Sequence, residues 1–455
     1  MAIANSNDGG ASTIPPVSQV PRLLLILILA ISAFIQFTVV SKTIVDDPLR
    51  ADAGEYFSYA YNLYHYDTFS LARTWVGAPP EQAPASDSIR SPGYPLFLLM
   101  AGTPRPIADY GLRVTYFQAA LGVLSVWLIY LIAVQFLGRG FALLAALLTA
   151  TAPQLATIST YLLTESLFLF LLLASVLSLI TALKTERRAL FIITGFLWGL
   201  CSLVRPTAEF FPVLGLLAVL LVPRLRSYRS NALVGFACFA ALMSPWIIRN
   251  QVAELRNPSS SLMVNTLAHG SYPGFMYEGR PETFAFPYRF DPNFPEITKD
   301  VPSVLKDIGR RFAAQPGTYA SWYLLGKPYF FLSLRDVQSA DIMIYPVSQT
   351  PYYQDLKFAV VRRFSLELHW PLMILGLIGL ATLALRPRWL DIDRPALIAA
   401  SVVALVIAYA IAFHMVVAPF PRYAIPFRPL IFLLALLPLR AVWVQIRDRK
   451  RPSKR

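Results

Sequence analysis

Leu23-Leu-Leu-Ile-Leu-Ile-Leu-Ala-Ile-Ser-Ala-Phe-Ile-Gln-Phe-Thr-Val-Val40 carries no charged residue from end to end. A run of about 20 mostly apolar residues is what a helix needs to cross the hydrocarbon core of a bilayer. Further runs that meet or approach this length start at Val114, Phe141, Tyr161, Ala189, Phe210, Ala232, Pro371, Ala396 and Pro429. The composition agrees, since the 455 residues are 56% hydrophobic and only 15% charged, against about 25% charged in soluble chains. The two cysteines, Cys201 and Cys238, sit inside apolar runs, so no disulfide scaffold or zinc site can be built from them. These observations predict an all-α polytopic membrane protein of about ten spans. They exclude secreted, fibrous and nucleic-acid-binding classes. The first run reads as a span and not a cleaved signal, because only Arg22 precedes it and no small-residue cleavage site precedes Ser41-Lys42.

Basic residues predict how the chain is threaded. Arg139, Lys184, Arg187, Arg188, Arg224, Arg226, Arg229, Arg386, Arg388 and Arg394 fall in alternate connections, on the side of the basic run Arg447–Arg455. The other short connections hold little beyond Arg205, Arg422 and Arg428. Lys and Arg accumulate in short cytoplasmic loops, so the net charge of +14 reads as membrane orientation with both termini cytoplasmic. The expected organisation is a tail at 1–22, a transmembrane domain over 23–445 and a basic tail at 446–455. Two long segments, 41–113 and 250–370, then lie on the outer, periplasmic side. Both are rich in Tyr, Phe, Trp and Pro, which favours packed structure at the membrane surface over a tether.

In the first of these segments, Asp52-Ala-Gly-Glu-Tyr-Phe-Ser-Tyr-Ala-Tyr-Asn-Leu63 puts Asp52, Tyr56, Ala60 and Leu63 on one stripe of a helix. Asp52 would stand near the helix start, where the macrodipole favours a carboxylate. It either caps an interfacial helix or does chemistry there. Asp46 and Asp47 precede a proline and read as turn residues, too few for a metal site. Arg90-Ser-Pro-Gly-Tyr-Pro-Leu-Phe-Leu-Leu-Met100 leads from a basic residue through a Pro-rich turn into a run too short to span. A guanidinium there can grip a phosphate through two hydrogen bonds, or simply anchor the chain at the headgroups.

Ionisable residues at span ends are costly unless they face a cavity or a partner. Glu165, Arg205, Glu209, Arg249, His414, Arg422 and Arg428 cluster at the expected outer ends, as a membrane-embedded site open to that side requires; snorkelling anchors are the plain alternative. Glu165, in Leu-Leu-Thr-Glu-Ser-Leu-Phe, has no polar company nearby in sequence and could pair with Arg205 or Arg422. In the second segment, His269-Gly-Ser-Tyr-Pro-Gly-Phe-Met-Tyr277 and Gly326-Lys-Pro-Tyr-Phe330 mix polar groups with rings. Aromatic platforms suit sugar faces and equally suit packing; Lys327 is a candidate second phosphate contact.

The order of a carboxylate with Tyr, Ala and Leu after span one, then a basic residue before Pro-x-Tyr-Pro, resembles the GT-C glycosyltransferases that use polyprenyl-phosphate sugars. The likeness is greatest to the branch holding protein O-mannosyltransferases and lipid A aminoarabinose transferases. Leu163-Thr-Glu-Ser-Leu-Phe168, Leu203-Val-Arg-Pro-Thr207, Pro245-Trp-Ile-Ile-Arg-Asn250 and Pro421-Arg-Tyr-Ala-Ile-Pro426 extend it along the chain. The resemblance implies an inverting enzyme of a bacterial inner membrane with its site on the periplasmic face. Asp52 would be the general base, with Asp47 and Glu55 as alternatives. Arg90 and a basic partner such as Arg422 would hold the lipid phosphate, and Tyr94, Glu165, Arg205, His269, Lys327 and Tyr423 would complete the substrate site. Its partners would be the lipid-linked donor, membrane lipids and a glycan, lipid or protein acceptor; no cofactor, metal or nucleic acid is called for. A transporter or flippase, a non-catalytic scaffold and an oligosaccharide ligase are the rival readings. The paired repeats and broken helices of transporters are not visible in the sequence.

Overall fold

Inside a bilayer each backbone N–H and C=O must be satisfied within the protein, which leaves the helix as the solution for an isolated apolar run. The structure, a computed structural model, describes residues 19–256, 262–334 and 341–449; of the expected tails at 1–22 and 446–455, residues 1–18 and 450–455 lie outside the described residues. All ten apolar runs are helical. Among the described residues seven helices are long and apolar enough to cross a membrane. An eighth crossing is formed if Arg139–Ala150 and Pro153–Thr160, bent by 54°, count as one. Arg188–Val204 and Pro206–Leu221 are apolar but shorter, so length alone does not bring the count to ten. Pro206 and Pro223 cut these two runs, because a proline disfavours helical backbone in the residue before it.

Two boundaries differ from the sequence expectation for one reason. The helix expected to start at Pro371 starts at Leu356 and carries Pro371 in its interior. Its first part, Leu356-Lys-Phe-Ala-Val-Val-Arg-Arg-Phe-Ser-Leu-Glu-Leu-His-Trp370, is too polar to register as a span. It is stabilised as helix by charge pairs, Arg363 with Glu367 at 2.5 Å and Arg362 with Asp341. Likewise Arg229–Arg256 runs past Asn250. Helical structure therefore enters the expected segment 250–370 from both ends.

Helix packing inside lipid depends on close backbone approach more than on hydrophobicity. Gly376 and Gly379 of Leu356–Leu385 meet the last helix, Arg428–Arg449. A Cβ on Gly379 would stand 2.0 Å from the Leu434 carbonyl oxygen. Leu430 to Leu437 of the last helix are all buried, making it the centre of the bundle.

The site is positioned by the first interspan segment. Helix α1 (Gln19–Lys42) leads into strand β1 (Ile44–Val45), helix α2 (Ala51–Tyr66) and the short helix α3 (Gly93–Leu99). Strand β1 pairs antiparallel with β2 (Val347–Gln349) of the second segment, Ile44 opposite Gln349. The two segments, some 300 residues apart in sequence, are thus joined by backbone hydrogen bonds. Asn62 of α2 secures the loop that follows, its Nδ2 donating to the carbonyls of Ser70 at 2.9 Å and Ala72 at 2.7 Å.

Candidate active site

Asp52 lies in the first turn of α2. Its Oδ1 accepts a hydrogen bond from Arg90 Nη2 at 2.7 Å, and its Oδ2 accepts one from Arg422 Nη2. Those partners are 38 and 370 residues away. Arg90 Nε donates to Glu55 Oε2 at 2.7 Å, and the guanidinium lies 5.2 Å from the centre of the Tyr56 ring. Behind this group Arg205 Nη1 stands 3.0 Å from Glu165 Oε1, with the Glu165 side chain only 3% exposed. The Tyr423 ring connects the two pairs, 4.8 Å from the Arg205 guanidinium and 5.3 Å from that of Arg422. Asp52, Glu55 and Glu165 therefore face Arg90, Arg205 and Arg422 in a charge-balanced network. Removing one member of such a buried pair costs about 3–5 kcal/mol, because the survivor is left uncompensated. Burial alone would raise the Asp52 carboxyl, but Arg422 first and Arg90 next hold it well below the usual carboxylate range.

The loop bearing Arg90 is fixed by Asp87, which accepts from Tyr59 Oη, from Leu71 N at 2.7 Å and from Ile89 N at 3.2 Å. Arg249 clamps the same loop through the carbonyls of Asp87 and Phe69, its guanidinium 5.1 Å from both the Phe69 and Trp246 rings. Beside the network lies a cavity of about 330 Å³. Arg90, Arg205 and Tyr423 supply its polar end, and Phe210, Met243, Ile247 and Met263 its apolar walls. Tyr345, fully buried, completes the network from the second segment; the charges of Arg422, Asp52 and Glu165 all act on its hydroxyl.

Three expected substrate contacts lie elsewhere. Tyr94 is fully buried, donates to Gln118 Oε1 at 2.7 Å and meets the Tyr56 ring at 5.2 Å, so it supports Tyr56 and does not face the cavity. His269 packs among Phe275, Tyr288 and Phe420, and burial lowers its imidazole to about 4. It is neutral at pH 7 and offers a phosphate no charge. Lys327 Nζ donates to the carbonyls of Met415, Val416 and Val417 at 2.8, 3.2 and 3.1 Å. It closes the C-terminus of helix Arg394–Val416, where a cation is favoured. Lys327→Met should therefore leave three carbonyls without their donor and lower stability by about 3 kcal/mol, on the order of 1–3 kcal/mol per orphaned buried group. Thermal unfolding in detergent measures this, and an unshifted transition would mean that the cap contributes nothing.

Sequence reasoning missed Asp87, Tyr345 and the clamp formed by Arg249. Tyr345 arrives through the β1–β2 pairing, and Asp87 acts through loop backbone; neither leaves a local pattern. Among the described residues no group of three His, Cys, Asp or Glu side chains converges. Asp46 and Asp47 are exposed in the turn before α2.

Residues 106–248 match the family model described as dolichyl-phosphate-mannose-protein mannosyltransferase. That stretch holds Glu165 and Arg205 but not Asp52, Arg90 or Arg422. The whole bundle is similar to the oligosaccharyltransferase of Archaeoglobus fulgidus, solved tethered with an acceptor peptide containing the NVT sequon. The match has a TM-score of 0.50 and 15% identity, and covers 95% of this chain and 51% of that one. The chain has the GT-C fold. It spans about half the length of that archaeal GT-C protein. Two further GT-C structures are more distant. ArnT from Cupriavidus metallidurans, bound to undecaprenyl phosphate, has a TM-score of 0.42 and 13% identity over 96% of this chain and 82% of its own. The Pmt1-Pmt2 protein O-mannosyltransferase complex of S. cerevisiae, bound to the sugar donor, has 0.38 and 18% over 53% and 34%. No curated protein matches the sequence.

Proposed function

We propose that this GT-C protein is an inverting glycosyltransferase that moves a monosaccharide from a polyprenyl phosphate to an acceptor hydroxyl. One observation carries the reading: Arg90, which with Arg422 bridges the carboxylate of Asp52, opens onto a cavity that also offers apolar walls. A polyprenyl phosphate has that same polarity, an anion on an apolar chain. The description of the family model over 106–248, which names a lipid-phosphate sugar, supports the donor class.

In the reaction the donor phosphate competes with Asp52 for Arg90 and Arg422. Drawing a guanidinium away restores basicity to the carboxylate at the moment the donor arrives. Asp52 then takes the proton of the acceptor hydroxyl, whose oxygen attacks the anomeric carbon from the face opposite the phosphate. The bond from that carbon to the phosphate oxygen breaks, and its electron pair leaves with the polyprenyl phosphate. Charge growing on the phosphate is met by guanidiniums already fixed in place. Arg205, paired to Glu165 and stacked on Tyr423, keeps Arg422 in register.

The test supplies a polyprenyl-phosphate sugar together with glycan, lipid and peptide hydroxyl acceptors to the purified protein and follows release of polyprenyl phosphate. Absence of turnover with every such donor would remove the reading. An oligosaccharide ligase is the second reading, favoured by the fold match to an oligosaccharyltransferase; turnover of a diphosphate-linked oligosaccharide alone would select it. The proposed site faces the periplasm of a bacterial inner membrane. Accordingly, cysteines at 75 or 300 should label with an impermeant reagent from outside and Ser227→Cys should not. Labelling of Ser227→Cys from outside would invert the threading and strand the site on the wrong side.

A further inference from the structure

Apart from the donor cavity, a cleft of about 420 Å³ borders the start of α2, lined by Asp47, Arg50, Ala51, Arg73 and Trp75 with nearby proline and leucine residues. The two cavities share no lining residue, and α2 walls both, through Tyr56 for the first and Ala51 for the second. Asp52 follows Ala51 directly. Ala51 itself takes left-handed backbone, φ 46°, a conformation that costs an alanine about 1 kcal/mol or more and persists where the surroundings over-determine it.

The charges of this cleft are unlike those of the donor site. Arg90, Arg205 and Arg422 each have a carboxylate partner, whereas among the described residues neither Arg50 nor Arg73 has one within ion-pair distance. Arg50 lies 5.3 Å from the Tyr345 ring. The Arg73 guanidinium reaches over the first turn of α2, with Nη2 3.7 Å from where a Cβ of Gly54 would stand. Trp75 is pinned by its Nε1 donating to Ser58 Oγ at 2.9 Å and meets Phe57 edge-on. Asp47 is exposed. A fixed ring, a carboxylate that accepts from hydroxyls and two guanidiniums held in no ion pair suit a sugar chain that carries anionic groups.

We propose that this cleft is the acceptor subsite and that it takes an anionic glycan, bearing carboxylate or phosphate groups. The inference rests on the proposed function, because inversion requires the acceptor to approach across the base from the donor.

Binding is measured on the full-length protein in nanodiscs of neutral phosphatidylcholine, titrated with trigalacturonate, pentamannosyl phosphate or neutral maltopentaose. At least one anionic glycan should bind 10-fold or more tightly than maltopentaose, and which one binds distinguishes carboxylate from phosphate. An Arg50→Gln, Arg73→Gln double variant should lose that preference, while Arg73→Lys, keeping charge without the fork, should retain part of it. Equal binding of neutral and anionic glycans would overturn the proposal, as would undiminished preference in the double variant. Displacement of the glycan by phosphatidylglycerol in the disc would assign the cleft to headgroups and overturn it too. Donor turnover, run in parallel on the same preparation, separates the two ideas. Turnover without anionic-glycan preference sinks only the subsite, and no turnover with any donor sinks the enzyme reading beneath it.

Discussion

Asp52→Asn should leave the bundle and donor binding in place while lowering turnover by roughly 100- to 10,000-fold, the usual worth of a general base. The amide keeps the shape of the carboxylate and its oxygen can still accept from Arg422, but it cannot take up a proton. It also leaves Arg90 less compensated, with Glu55 as its remaining carboxylate, so donor phosphate should bind at least as well as in the wild type. That split, slow chemistry with intact affinity, is the signature to look for. Glu55 is tied to Arg90 on the same helix face and is the group best placed to substitute. Wild-type turnover in Asp52→Asn would hand the role to Glu55 or end the assignment of a base on α2.

Arg90→Ala should weaken donor binding and slow the chemistry together. Truncating one partner of a hydrogen-bonded charge pair costs about 2–5 kcal/mol, or roughly 30- to several-thousand-fold. In this structure Arg90 serves two carboxylates at once, Asp52 and Glu55. Its loss leaves Glu55 without its partner and Asp52 bound to Arg422 alone, so like charges accumulate where an anionic phosphate must enter. Arg90→Lys restores the charge without the planar fork and should recover only part of both effects. Isothermal titration of donor and single-turnover rates separate the two contributions. Donor binding and turnover like wild type in Arg90→Ala would reduce Arg90 to an interfacial anchor.

Much of this was legible in the sequence where physics acts locally. The uncharged run at Leu23–Val40 needs no tertiary context to be read as a span, and the 3.6-residue stripe from Asp52 to Leu63 did fold as α2. Glu165 and Arg205, conspicuous as charges in apolar company, do meet. What failed was judged from residue type without its neighbours. Lys327 carries the charge of a phosphate ligand, but its ammonium is consumed by three carbonyls of a helix 88 or more residues away. His269 stands among rings suited to a sugar, yet burial keeps it uncharged. The polar start of Leu356–Leu385 hid a helix, because hydropathy scores side chains while the backbone continues through them.

The span between Asp52 and Arg422, 370 residues, bears on how the protein is made. Arg90 follows Asp52 by only 38 residues and can shield the carboxylate soon after both emerge from the ribosome. Arg422 leads into helix Arg428–Arg449. Until that helix is in place Asp52 has only one of its two cationic partners, so on the proposed function a chain cut short of it holds the base without the full grip on a donor. On the proposed function the order of synthesis thus acts as a safety catch, released when helix Arg428–Arg449 takes its place in the bundle.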